Sequence, residues 1–255
     1  MCLSPAASQC SLYVNYMKTF AVIIPTFNEE ENIGLLLADI QKQSLKPNQL
    51  IVADAKSTDR TREVALKAGA EVVDGGMPGP GRNAGARAAK TDVFFFMDAD
   101  VRLFDEHFFE KAVEEFTRRQ LGSGTAELDP MSTRWDDYVG HWIYNKLLHR
   151  QAKSNPYAAG SLIIATRSVH ESIQGFDEAV LLGEDTDYAT RASRIAPFGI
   201  LDSVKIPVSV RRLERDGRVR TALKYILAGF HQIFFGPIKH DGFKYEFGYE
   251  HMKKK

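Results

Sequence analysis

Asp98-Ala99-Asp100 follows directly on the apolar run Val93-Phe94-Phe95-Phe96-Met97. A short run rich in Val and Phe, preceded by Lys90-Thr91-Asp92, reads as a strand covered on both faces. The two carboxylates then stand at the carboxyl end of a buried strand, where open α/β sheets bind their ligands. Acids one residue apart in that place suit a hard divalent cation shared with a diphosphate. The same triplet also arises in solvated turns, so its chemistry depends on what the rest of the chain brings to it.

The elements that would position it alternate. Phe20–Ile24 is a β-branched strand stopped by Pro25, and residues 29–43 follow with Ile33, Leu36, Leu37 and Ile40 at helical spacing. Asn28 is a suitable cap for that helix, and Glu29-Glu30-Glu31 suits its positive start. Residues 50–53 form a second strand, 58–68 a helix ended by Gly69, 71–73 a third strand, and 80–89 a third helix before the strand at 93–97. A helix follows at 108–116. This order predicts a mostly parallel central sheet with helices on both faces.

After Gly122 the alternation loosens. Residues 129–157, polar and aromatic with Pro130 and Pro156, predict a loop-and-helix insertion. Residues 161–165 read as a core strand, 185–193 as a helix, 199–210 as two short strands split by Pro207, and 217–235 as a closing helix. No repeat or linker interrupts 17–240, which predicts one domain between a structureless extension at 1–16 and a tail at 241–255.

Composition narrows the function. With 33 basic and 33 acidic residues the formal net charge is zero, which gives no electrostatic footprint for nucleic acid. Apolar residues make up 44% of the 255 positions, enough for an ordinary core. The two cysteines, Cys2 and Cys10, precede the first strand; they make neither a disulfide framework nor a zinc site and fit a reducing compartment. No run approaches the ~18 apolar residues of a membrane span, and residues 1–16 lack the pattern of a signal peptide. A cytoplasmic protein is expected, with contact at the inner face of the membrane as an option.

Four segments line up beyond the acidic triplet. They are Val22-Ile23-Ile24-Pro25-Thr26-Phe27-Asn28-Glu29, Asp54-Ala55-Lys56-Ser57-Thr58-Asp59, Arg82-Asn83, and Gly175-Phe176-Asp177-Glu178 before Gly183-Glu184-Asp185-Thr186-Asp187. Over about residues 19–235 they resemble glycosyltransferase family 2, inverting enzymes of the GT-A fold. The resemblance implies a nucleotide-sugar donor gripped by Pro25, Thr26, Asn28, Glu29 and Asp54, with Arg82 beside the base or phosphates. It implies Asp98 at the ribose or metal, Asp100 on Mg²⁺ or Mn²⁺, and Asp185 as the base for the acceptor hydroxyl, with Asp187 structural. Ser209-Val210-Arg211-Arg212 resembles a stretch found in one branch of the family, and the two arginines would clamp the diphosphate or simply end a strand. Ala55 and Lys56 depart from the usual pattern after the second strand; uridine is the default base. The acceptor would be a glycan, a lipid-linked group or a small molecule.

Rival readings are a retaining transferase on the same fold, a sugar nucleotidyltransferase, and a nucleotide-sugar-binding scaffold without turnover. The nucleotidyltransferase would carry a Gly-rich loop after the first strand, where Pro25-Thr26-Phe27-Asn28 stands. Residues 75–81 look like a dinucleotide loop but follow the third strand, and their prolines lack phosphate-binding N–H groups; they read as a loop leading to Arg82. His141, Trp135 and Trp142 lie in the predicted insertion, with sugar stacking and core packing both open. Phe230, Ile233, Phe234, Phe235 and Pro237-Ile238-Lys239 would pack on the sheet or a second subunit, or touch a membrane.

Overall fold

The computed structural model describes residues 19–235 and 237–239; of residues 225, 226, 228–230 and 232–235 only the backbone is described. The expected extension at 1–16, the cysteines, the tail at 241–255 and the side chains of Phe230, Ile233, Phe234 and Phe235 lie outside this description.

Seven strands form one sheet in the order β3-β2-β1-β4-β6-β5-β7. They are β1 (Phe20–Thr26), β2 (Gln49–Asp54), β3 (Glu71–Asp74), β4 (Val93–Phe96), β5 (Ser123–Met131), β6 (Ile163–Thr166) and β7 (Phe198–Ser209). Only β6 runs against its neighbours β4 and β5; the other pairings are parallel. Helices α1 (Glu30–Lys42), α2 (Thr61–Lys67), α3 (Gly79–Ala88) and α4 (Phe108–Arg118) supply the crossovers of the first half. The second half adds α5 (Trp135–Gln151), α6 (Arg167–Ser172), α7 (Glu184–Ser193), α8 (Arg211–Asp216) and α9 (Arg218–Phe235).

The Phe run of β4 feeds both faces of the sheet, as strand alternation requires. Phe95 packs with Phe20 and Phe109 on one side, while Phe94 and Phe96 meet His170, Phe176 and Tyr188 on the other. His170 is buried there, and desolvation lowers its pKa to about 4, so the ring is a neutral core group whose Nδ1 lies 3.1 Å from the Tyr188 hydroxyl.

Two expectations are corrected here. The stretch 199–210 is one strand, not two. β7 is the last strand in the order, and Pro207 turns its carbonyl away from β5 to accept the Arg102 N–H, so the N–H it lacks is not one that the β5 pairing needs. Residues 123–128 carry no element in the sequence reading and 129–131 fall in the predicted insertion, yet 123–131 form β5; its Gly, Glu, Asp and Pro content hides the strand, which carries a register shift between Ala126 and Glu127.

Glu115 of α4 ties this edge to the core. Its carboxylate accepts the backbone N–H groups of Asp202 and Ser203 and the Arg119 guanidinium. Burial alone would raise its pKa, but those donors outweigh it and hold it at about 2. Glu115→Gln is therefore expected to destabilise the protein by about 2 kcal/mol at pH 7. Because the folded-state pKa is depressed, the wild-type advantage is present above about pH 4.5 and fades as pH falls toward 2. Urea melts of both proteins across that range check the sign; a deficit that did not shrink in acid would contradict it.

Candidate active site

The carboxyl ends of β1, β2 and β4 meet at one rim. On the β1 side, the polar side chains expected to grip a donor are tied to one another. Asp54 is fully buried; it accepts the Thr26 hydroxyl at 3.2 Å, the Ser57 backbone N–H at 3.0 Å and the Arg62 guanidinium at 3.3 Å. Asn28 is not the cap of α1. It takes a left-handed backbone with φ 53°, and its side-chain oxygen accepts the Thr58 N–H at 2.8 Å. The exposed helix start is satisfied across the loop instead, since Asp59 accepts the Glu30 N–H at 3.1 Å and Thr61 the Glu29 N–H at 2.8 Å. Thr26, Asn28 and Asp54 thus shape the rim loop with their side chains. Pro25, half-buried beside them, pairs in register with Ala53.

Asp98 and Asp100 stand just past β4 as the sequence places them, but Asp100 does not face open solvent. It is half-buried and shares Arg211 with Glu29, with Nη2 3.4 Å from each carboxylate. Arg211 reaches this position because β7 continues beside the acidic loop: Val101 bridges Val208, and the Arg102 N–H donates to the Pro207 carbonyl. Ser209 Oγ orients Arg211 by accepting from its Nε at 3.1 Å. Arg212 is half-buried next to it and acts on Asp100 through its charge. The pair is thus no basic strand end but the first turn of α8. Desolvation, then Asp98, pushes the Asp100 carboxyl up against the pull of Arg211 and Arg212. Desolvation and Asp100 push Glu29 up to about 7.

The third group is centred on Arg82. Its guanidinium is buried beneath the rim, not displayed at a helix start. Nη1 donates to Glu184 and Nη2 to Asp98, both at 2.8 Å, and the Gly160 carbonyl lies 3.4 Å from Nη2. α3 carries Arg82 close to the sheet because Gly85 rests against Ile23, where any Cβ would collide with the isoleucine side chain. Asp185, one residue beyond Glu184, lies in the first turn of α7; its carboxylate accepts the Gly160 N–H at 2.9 Å and the Thr186 N–H at 2.8 Å. Burial first, then the Glu184 carboxylate, pushes Asp185 up to about 7, against a lowering pull from Arg82. Asp187 pairs with Arg191 one turn on, at 2.7 Å.

One buried arginine therefore joins Asp98, past β4, to Glu184, and the raised pKa of the neighbouring Asp185 suits it to exchange a proton near neutral pH. Gly160 was not legible as part of this. It joins both halves through its backbone, and a Cβ there would strike Arg82; the only sequence signal is the run of small residues Ala158-Ala159-Gly160-Ser161 before β6. Among the described residues no group of three or more His, Cys, Asp and Glu side chains could hold a metal ion. Asp98 and Asp100 nevertheless fit a cation that takes one or two carboxylates and completes its shell with phosphate oxygens and water, and the mutual repulsion that raises Asp100 is what such a cation would relieve.

The mostly parallel α/β sheet, with acids past its fourth strand, has the GT-A fold. Residues 21–173 match glycosyl transferase family 2, and the chain is a member of that family. It is 26% identical over 240 residues to the 4,4'-diaponeurosporenoate glycosyltransferase of Staphylococcus haemolyticus, an alignment covering 88% of this chain and 61% of that one. The chain thus spans about three-fifths of that relative's length. Among solved structures, the mannosyltransferase PcManGT of Pyrobaculum calidifontis, in complex with GDP-Man and Mn²⁺, superposes with a TM-score of 0.65 at 21% identity, over 84% of this chain and 61% of that one. TarS 1–349 of Staphylococcus aureus, in complex with UDP-GlcNAc, gives 0.62 at 19% identity, over 75% and 58%.

Proposed function

We propose that this chain transfers a sugar, with inversion, from a nucleoside-diphosphate sugar to an acceptor hydroxyl, with a divalent cation assisting. The carrying observation is the link Asp98–Arg82–Glu184, which fixes the acidic rim of β4 against Asp185. Asp100 and Asp98 would hold Mg²⁺ or Mn²⁺ together with the donor diphosphate. When bound, that cation neutralises charge growing on the departing diphosphate. Arg211 and Arg212 lie on the same side and add positive charge there, consistent with a diphosphate clamp.

Asp185 is the proton acceptor in this reading. A base is most effective when its pKa lies near the working pH, and about 7 meets that condition. The acceptor O–H would give its proton to Asp185 as the oxygen attacks the anomeric carbon, and the sugar–phosphate bond would break on the opposite face. Holding Asp185 by two backbone N–H groups fixes its direction without neutralising it.

Uridine is the base we favour. The bases in the two structural relatives differ, UDP-GlcNAc in one and GDP-Man in the other, and Ala55 offers no side-chain donor or acceptor to choose between them. Calorimetric titration with UDP-, GDP- and dTDP-sugars in Mn²⁺ tests donor class and metal use together. The wild type should bind a UDP-sugar only with the cation present, and Asp100→Asn should lose that dependence together with most of its affinity. Unchanged metal-dependent binding by the variant would remove Asp100 from the cation site. The acceptor in this reading is a hydroxyl on a glycan, a lipid-linked group or a small molecule.

A further inference from the structure

Both tryptophans of the chain are on α5, and both are exposed, Trp135 by 76% and Trp142 by 61%. They are part of a stripe. Trp135, Tyr138, Val139, Trp142, Ile143 and Leu147 recur at the three- and four-residue spacing of one helix face, and each is exposed. The opposite face is the one that packs: Asp137, Asn145 and Leu148 are buried, and Asn145 pairs with the Leu128 backbone of β5. A helix whose apolar face points outward is turned inside out for a water-soluble surface.

The charge on this face is one-sided. Residues 138–153 hold Lys146, Arg150 and Lys153, all exposed, and no Asp or Glu. Lys146 lies over the Trp142 ring at 5.9 Å. α9 repeats the pattern: Val219, Leu223 and Leu227 are exposed one turn apart, and residues 217–235 contain Arg218, Arg220 and Lys224 with no acid. The ion pair of Arg218 with buried Asp137, at 2.7 Å, ties the start of α9 to the start of α5. The whole chain is neutral, so this segregation is local. Beyond the first turn, where Asp136 pairs with Arg134 and Arg218, aromatic residues beside lysine and arginine, free of acids, match the headgroup region of an anionic bilayer. A second copy of the same face would bring Lys146 and Arg150 into an interface without a carboxylate on that stretch to meet them.

We propose that the outward face of α5 is a docking surface for an anionic phospholipid bilayer. No helix of the described residues is long and apolar enough to cross a membrane, so the contact is one of lying on the surface. From the end of α5 the chain runs directly to Gly160, whose N–H holds Asp185. Docking would therefore bring a lipid-borne acceptor hydroxyl to the site; this second clause rests on the transfer reading above, whereas docking itself does not.

Because Trp135 and Trp142 are the chain's two tryptophans, their emission reports this face alone. Adding phosphatidylglycerol–phosphatidylcholine vesicles to the full chain, without donor, should shift the emission to the blue, and pure phosphatidylcholine should shift it far less. Co-sedimentation should show W135S/W142S and K146E/R150E each partitioning at least about tenfold more weakly onto the anionic vesicles. Exposed positions should leave the melting temperature nearly unchanged; if W135S/W142S failed to fold, K146E/R150E carries the test. An unshifted emission, an equal response to neutral vesicles, or undiminished partition by K146E/R150E would overturn the proposal. So would a dimer in solution that W135S/W142S converts to monomer, which would give the face to a second copy. Vesicle binding with no sugar transfer would leave docking standing and count against the transfer reading.

Discussion

Asp185→Asn is expected to bind donor and cation nearly as the wild type does, yet to turn over roughly 10²–10⁴-fold more slowly, the usual contribution of a positioned base. The amide has the volume of the carboxyl and can still accept a backbone N–H, but it takes no proton near neutrality. The pH dependence adds a second reading of the same group. With Asp185 at about 7, wild-type kcat should rise with pH through that value, because only the ionised form is a base. Stability should move the other way. The raised pKa means that ionisation costs the folded state, so wild-type stability declines between about pH 4 and pH 7 and Asp185→Asn is spared that decline. Paired kinetic and thermal measurements decide it; near-normal kcat in the variant would exclude Asp185 as the base.

Arg82→Met should be the most damaging single change to the fold of the site. It leaves Glu184 buried and Asp98 half-buried with their shared partner gone. Removing one member of a buried ionic group costs ~3–5 kcal/mol, and for a chain of this size that is a fall of roughly 6–20 °C in Tm. Arg82→Lys should recover only part of the loss, since one ammonium cannot serve two carboxylates in the fork geometry of a guanidinium. Arg82 also holds the Asp185 pKa down, so in Arg82→Lys, where that charge is displaced, the acid limb of the kcat profile should move to higher pH. An unchanged limb would reduce Arg82 to a structural part.

The first half of the fold could be read closely from the sequence because its signals are local. β-branched runs ending at Pro25 and at Asp54, and helical spacing at Ile33, Leu36, Leu37 and Ile40, place β1, β2 and α1 within one or two residues of their observed bounds. The second half depends on partners far away in sequence. β5 is a strand because β6 and β7 flank it, not because of its own composition. α6 and α8 are single short helices whose starts are set by Thr166 and by the end of β7.

At the site, residue types were legible and their partnerships were not. Asp98, Asp100 and Asp185 stand where the strand-end and helix-start reasoning put them, in the sense of chain position. That Arg82 is buried between Glu184 and Asp98, that Arg211 bridges Glu29 and Asp100, and that Asp54 accepts the Thr26 hydroxyl are contacts across 16 to 182 residues of sequence. No local pattern encodes them. The stripe on α5 shows the reverse case: its spacing is plain in the sequence, but which side it turns to solvent is decided by Asn145 and Asp137 packing on the other.

The central claim is a single displacement at the anomeric carbon, with Asp185 receiving the acceptor proton. NMR of the transfer product, made with whichever donor the calorimetric screen selects, tests it most directly. The account predicts an anomeric configuration opposite to that of the sugar in the donor; a product that keeps the donor's configuration would contradict it.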